Sequence, residues 1–222
     1  MNISYYALIL LVLLLGIGAQ LLIKHSYKKW NKNRSSFGVT GADAARTMLN
    51  NNGLSHVSIV EIKGELSDNF DPRTQVISLS TEVYRGQTVA AVAVACHECG
   101  HAVQHAQAYA PAKIRGAIVP VVNFASTIWI FVLLAGIFLS LFGLVYVAIG
   151  LFAATLIFQL VTLPVEFDAS KRALAFVQGS GWLTQQEMGG ARSVLRSAAM
   201  TYVAAALASV LQLLYLIGMA RR

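Results

Sequence analysis

Charge is what this sequence has least of. Charged residues make up 12% of its 222 positions against 56% hydrophobic, and mean hydropathy is +0.61. That balance excludes an ordinary soluble domain and indicates an integral membrane protein. Acids are the scarcer sign, 10 Asp and Glu against 17 Lys and Arg, which leaves a formal net charge of +7. Yet no Lys/Arg-rich segment interleaved with aromatics is present, so no nucleic-acid partner is expected. The basic residues gather beside apolar spans instead, where they bear on topology and on anionic lipid headgroups. Cysteine is nearly missing too. Cys96 and Cys99 are the only two, without the second CxxC that a zinc ribbon requires, and they read as small buried side chains of a helix rather than a disulfide. Internal repeats and low-complexity tracts are absent.

The apolar residues fall into four runs long enough to cross a hydrocarbon core of about 30 Å. The first covers residues 5–23. Residues 1–6 carry no Lys or Arg, while Lys24, Lys28, Lys29, Lys32 and Arg34 follow the run at once, a pattern of an anchor with its N-terminus outside rather than a cleaved signal peptide. Between Arg115 and Glu166 lie 50 residues without one charge, enough for two crossings at 117–139 and 144–163 joined by a tight turn at 140–143. Lys171, Arg172, Arg192 and Arg196 bring the chain back to the positive side. Thr184 with Glu187 forms a capping box ahead of the fourth run, 198–220, in which Ala204 with Ala208 and Ala205 with Ser209 give small residues four apart for close helix packing. The expected protein is thus a multi-pass component of the cell membrane, a single domain over 1–222, with residues 24–115 and 164–197 in the cytoplasm. The terminal Arg221 and Arg222 fall outside in this topology, against the usual charge rule.

Residues 35–112 have soluble composition. Thr40 is placed to cap a short helix over Ala42, Ala45, Met48 and Leu49 that Gly53 stops. Residues 57–62 and 76–79 read as strands separated by a turn-rich stretch at 64–74. The second strand is expected at a sheet edge near the catalytic centre, where an extended substrate could add to it. From Thr88 to Gln107 the chain is Ala and Val all round, the mark of a helix buried on every side.

That buried helix contains His97-Glu98-Cys99-Gly100-His101, an HExxH. On a helix the two imidazoles sit four apart on one face and can share a Zn²⁺, while Glu98 is free to take a proton from a water that the metal polarises. This is the chemistry of peptide-bond hydrolysis. A polar patch on an exposed helix is the competing reading, and the buried surroundings argue against it. His105 lies eight residues, about 12 Å, beyond His97, too far to share the ion. A metzincin site would need a histidine at position 107, which is Gln107. Catalytic zinc usually takes a third protein ligand. Only three acids follow His101, and Glu166, at the inner end of the third run, is preferred over Asp168 and Glu187. A simple pairing of Glu166 with Lys171 or Arg172 is the alternative. Asp168 or Ser170 could orient a ligating histidine through its other nitrogen.

Four runs carry a resemblance over nearly the whole chain: DNFDPR at 68–73, LSTEVY at 79–84, AVACHECGHAVQH at 93–105 and LPVEFDASKRAL at 163–174. They resemble the YugP family of membrane zinc metallopeptidases and, more distantly, the gluzincins of the HtpX and CAAX-prenyl-protease group. The resemblance implies zinc on His97, His101 and Glu166, with Glu98 as general base. The sister group has an aspartate four residues after its ligand glutamate, where this chain has Ser170. The expected molecule is therefore a mainly α membrane protein with four transmembrane helices and a small α+β cytoplasmic unit carrying the HExxH helix. Its expected activity is zinc-dependent endopeptidase, acting on polypeptides of or beside the bilayer. An intramembrane-cleaving protease would require HExxH within a lipid span and an LDG-like aspartate, but Glu82 and Arg85 closely precede the helix and no LDG occurs. A non-catalytic zinc-stabilised scaffold would have no use for Glu98.

Overall fold

The computed structural model describes residues 3–221; Met1, Asn2 and Arg222, the last of the two terminal arginines, lie outside it. Four helices are long and apolar enough to cross a membrane: α1 (Ile3–Asn31), α5 (Ala110–Phe138), α6 (Phe142–Ser180) and α7 (Gln185–Ala220). Helices are the form required of them, since a chain in hydrocarbon must satisfy its backbone polar groups internally. The turn between α5 and α6 is three residues, 139–141, with Ser140 in the left-handed region at φ 53°. Leu133, Val145, Phe152 and Leu216 pack together among α5, α6 and α7.

α6 has 39 residues, roughly 58 Å of helix and nearly twice the thickness of a bilayer core. It therefore leaves the apolar region and continues into the soluble part without a break, even through Pro164. α7, with 36 residues, begins in the same soluble part behind the expected capping box of Thr184 and Glu187.

The soluble part is built from α2 (Gly41–Asn51), β1 (Ser58–Ile62), β2 (Asn69–Asp71), β3 (Val76–Ser80), α3 (Thr81–Arg85) and α4 (Val89–Ala106). Thr40 caps α2 by accepting from the Asp43 amide, and Gly53 follows the helix at φ 71°, as its sequence predicts. Its core is shared with the long helices: Tyr27 of α1, Met48 and Leu49 of α2, Ile77 and Leu79 of β3, Val92 and Val103 of α4, and Val177 and Val194 from the inner ends of α6 and α7 pack in one cluster. Cys96 and Cys99 are free and buried.

The sheet corrects one expectation. Its order is β1-β3-β2, with β1 parallel and β2 antiparallel to β3. β3 is paired on both sides and cannot take an added strand. The turn-rich stretch supplies the edge instead: Asn69, Phe70 and Asp71 pair with Ser78, Ile77 and Val76. Asp68 fastens the start of this strand, its carboxylate accepting from the Ser80 amide at 2.7 Å and the Ser80 hydroxyl at 3.0 Å. Burial pushes the Asp68 carboxyl up, against the opposing effect of these bonds.

Candidate metal centre

α4 is held by its Thr88 cap and buried along most of its length. Its register puts His97 and His101 on one face, ring centroids 4.7 Å apart. α6 crosses in front of them and presents Glu166. Glu166 Oε2 lies 3.3 Å from His97 Nε2 and 3.7 Å from His101 Nε2, and one donor atom from each residue falls within 4.8 Å of the other two. Two ligands bound near 2.05 Å at tetrahedral angles should stand about 3.3 Å apart. Two imidazoles and a carboxylate at this spacing fit a zinc ion, and no Lys or Arg other than Arg115 pairs with Glu166 among the described residues.

Close approach of the two helices depends on Gly100, inside the HExxH itself. A Cβ there would meet the Ala169 carbonyl oxygen at 2.6 Å and its Cα at 3.0 Å. Any side chain would push α4 off α6, and the three donors apart.

The remaining imidazole nitrogens are held from the same two helices. Ser170 Oγ stands 3.1 Å from His97 Nδ1. Gln104 Oε1 stands 3.1 Å from His101 Nδ1. The Gln104 amide nitrogen donates to the Val165 carbonyl and to Asp168, both at 2.8 Å, so its oxygen has to face the histidine. An accepting oxygen there puts a proton on His101 Nδ1 and leaves Nε2, which lies on the side of Glu166, as the nitrogen able to bind a metal. Arg172 in turn donates to Asp168 at 2.6 Å. Asp168 thus acts through Gln104, and Arg172 pairs with Asp168 rather than with Glu166.

Glu98 lies beside the three donors, buried at 8% exposure. Burial pushes its carboxyl above the ordinary range, partly offset by His97 and His101. The group faces a cavity of about 590 Å³ bounded by β2 and by α4, α5, α6 and α7. Arg115 and Tyr202 stand in its wall, and Arg115 Nη1 is 3.6 Å from Glu166 Oε1. His105 also lines it, its ring 6.1 Å from that of Phe70, outside the donor group. Glu187 is elsewhere, bonded to Ser36 and the cap of α7.

Gln104, Gly100, Arg115 and Tyr202 escape the sequence reading. Gln104 had the clearest signal, a lone amide three residues after a motif histidine in a helix of Ala and Val.

The family pattern described as "Putative neutral zinc metallopeptidase" matches residues 5–221. A protein of Bacillus subtilis (strain 168) named "Putative membrane protease YugP" is 44% identical over 200 residues, covering 90% of this chain and 89% of that one. No solved structure matches the chain. With the pattern running through every helix described above, and with that identity sustained over nine-tenths of both proteins, the chain belongs to the neutral zinc metallopeptidase family that includes membrane relatives such as YugP.

Proposed function

We propose that the chain is a zinc-dependent endopeptidase whose site lies at the cytoplasmic surface of the membrane and cuts polypeptides in or close beside the bilayer. One observation carries the reading: His97, His101 and Glu166 converge within 4.8 Å, with the non-ligand Glu98 beside them at the floor of a large cavity. His97, His101 and Glu166 would hold a Zn²⁺, which would supply Lewis acidity toward a carbonyl oxygen and make water ionise near neutral pH. Glu98 takes the proton of the attacking water and passes it to the departing amine. Its burial keeps bulk water from levelling its basicity. Arg115 and Tyr202, the cationic and phenolic donors beside Glu166, give hydrogen bonds to the carbonyl oxygen as negative charge develops there. Ser170 and Gln104 fix the two imidazoles and touch no substrate.

Substrate enters along β2. This strand is paired on one side only, and Asn69, Phe70 and Pro72 border the cavity, so an extended peptide can add its backbone to the strand and bring a peptide bond to Glu98. Gly116 and Val119, from the apolar stretch of α5, line the same cavity. Glu166 lies three residues past the expected end of the third span. Those positions favour substrates anchored in the bilayer over freely diffusing ones. α4 is not among the four membrane-length helices, which argues against cleavage at mid-bilayer depth.

The test compares purified protein with its Glu98→Gln variant on candidate membrane and soluble substrates, with products read by mass spectrometry. The variant is expected to keep one zinc per chain and to lose cleavage by at least about 100-fold. Cleavage near the wild-type rate would end the mechanism.

A further inference from the structure

A second concavity lies between α6 and α7, separate from the cavity that holds Glu98. Lys171 on α6 and Arg192 and Arg196 on α7 edge it, and its volume is about 510 Å³. All three are exposed, and among the described residues no carboxylate pairs with any of them. Arg192 and Arg196 are four apart on one helix, an arrangement that costs stability when nothing neutralises it. Asp168, whose charge Lys171 also feels, is already bonded to Arg172 and Gln104, so the three cations edge the groove with no ion pair of their own among the described residues and form a receptor for an anion.

Their level along the helices identifies the anion. Lys171 is two turns beyond the end of the third apolar run at 163, and Arg196 is two residues before the fourth begins at 198, so both stand where headgroups end and cytoplasm begins. On the bilayer side of this ring the groove turns apolar, with Phe167, 48% exposed, and Ala199, while Leu195 is buried between the two arginines. A soluble anion would leave Phe167 bare to water. A lipid phosphate with its acyl chains running toward the bilayer would cover it and meet all three cations. We propose that this groove binds the headgroup of an anionic phospholipid. Its inner wall includes Ser170, whose hydroxyl meets His97 Nδ1, so the bound lipid would sit one side chain away from the metal centre. The lipid site stands whether or not the zinc reading does, since it uses no zinc ligand.

The test uses the full chain in phosphatidylcholine nanodiscs titrated with phosphatidylglycerol, with retained lipid counted by native mass spectrometry. Wild type is expected to keep one phosphatidylglycerol per chain in preference to phosphatidylcholine. Each cation near a membrane surface contributes roughly fivefold to such binding, so the triple variant Lys171→Gln, Arg192→Gln, Arg196→Gln should bind on the order of 100-fold more weakly. Arg192→Gln alone should lose roughly fivefold, which keeps the test available if the triple variant does not purify. The control removes the same charge elsewhere on the same expected membrane face, at Lys24, Lys28 and Lys29, and should leave the retained lipid in place. An equal loss in the control would reduce the effect to diffuse surface attraction and overturn the site. Displacement by excess inorganic phosphate, equally tight binding of a soluble acidic peptide, or no preference over phosphatidylcholine in the wild type would overturn it as well.

Discussion

The amide of Gln104 makes three contacts at once, and that leaves its orientation no freedom. Two acceptors, the Val165 carbonyl and Asp168, claim the nitrogen, so the oxygen faces His101 and selects the imidazole tautomer that exposes Nε2. Gln104 is 1% exposed, so water cannot replace these bonds. Replacing it by Leu should leave the helix intact while freeing the His101 ring, and zinc affinity should fall about 10- to 100-fold, as is usual when the group behind a ligating histidine is lost. Zinc titration against a competing chelator measures this. Unchanged affinity would mean that His101 is oriented by packing alone. Ser170 offers a companion test with a built-in rescue. Ser170→Ala should weaken zinc by a similar factor, whereas Ser170→Asp should restore it, because a carboxylate accepts the same Nδ1 proton. Failure of the aspartate to do better than alanine would remove the hydrogen bond at 3.1 Å from the account.

At the scale of elements, the candidate metal centre is a contact between one soluble helix and one helix of membrane-spanning length, and its precision comes from how closely α4 can approach α6. Gly100→Ala should force the helices apart against the Ala169 backbone, costing about 1–3 kcal/mol of stability as overpacking commonly does. Zinc content should fall with it, though no ligand is touched. A variant with full zinc and wild-type melting would show that the helices have slack. The same elements show which parts of the molecule were legible beforehand. HExxH could be read because a four-residue spacing on a helix is by itself a geometric statement. Glu166 could be picked out because acids are so few after His101. β2 could not: it has three residues, one of them Asp71 beside Pro72, and a strand so short has no alternation to detect. Missing it placed the sheet edge on β3. The apolar run ends at 163 but the helix does not: α6 passes through Pro164, and packing of the following turns in the soluble core carries it on to Ser180. Gln104 and Arg115 depend on contacts across 61 and 51 positions of sequence, which no local pattern encodes.

For the molecule as a whole, the paths of α1, α5, α6 and α7 make the expected topology directly measurable. From the basic residues after the first span, Asn50 is expected in the cytoplasm and the α5–α6 turn outside. A lone engineered cysteine at Asn50, with Cys96 and Cys99 replaced by Ala, should escape an impermeant maleimide added to intact cells and react once they are opened. One at Leu139, 64% exposed, should react without opening. The reverse pattern would turn the whole molecule over and place the metal centre outside the cell.

With two of the proposed ligands on α4 and the third on α6, a bound zinc would tie the soluble unit to the membrane helices, and the strength of that tie can be read without any substrate. An ion bound only to the folded state stabilises it by about 4 kcal/mol when present at 1,000 times its dissociation constant. For a chain of this size that corresponds to a rise in melting temperature of roughly 10 °C. Wild type and Glu98→Gln should show this rise equally on adding zinc to chelator-treated protein, since the proposed role of Glu98 is that of proton acceptor and not ligand. Glu166→Ala should lose most of it together with its zinc, because two histidines on one helix hold the ion less tightly and no longer bridge to α6. The comparison separates ligand from base by a thermal measurement rather than by activity. Should Glu166→Ala melt with the same zinc-dependent rise as wild type, Glu166 is not the third ligand, and the cross-link between α4 and α6 that defines this site does not exist.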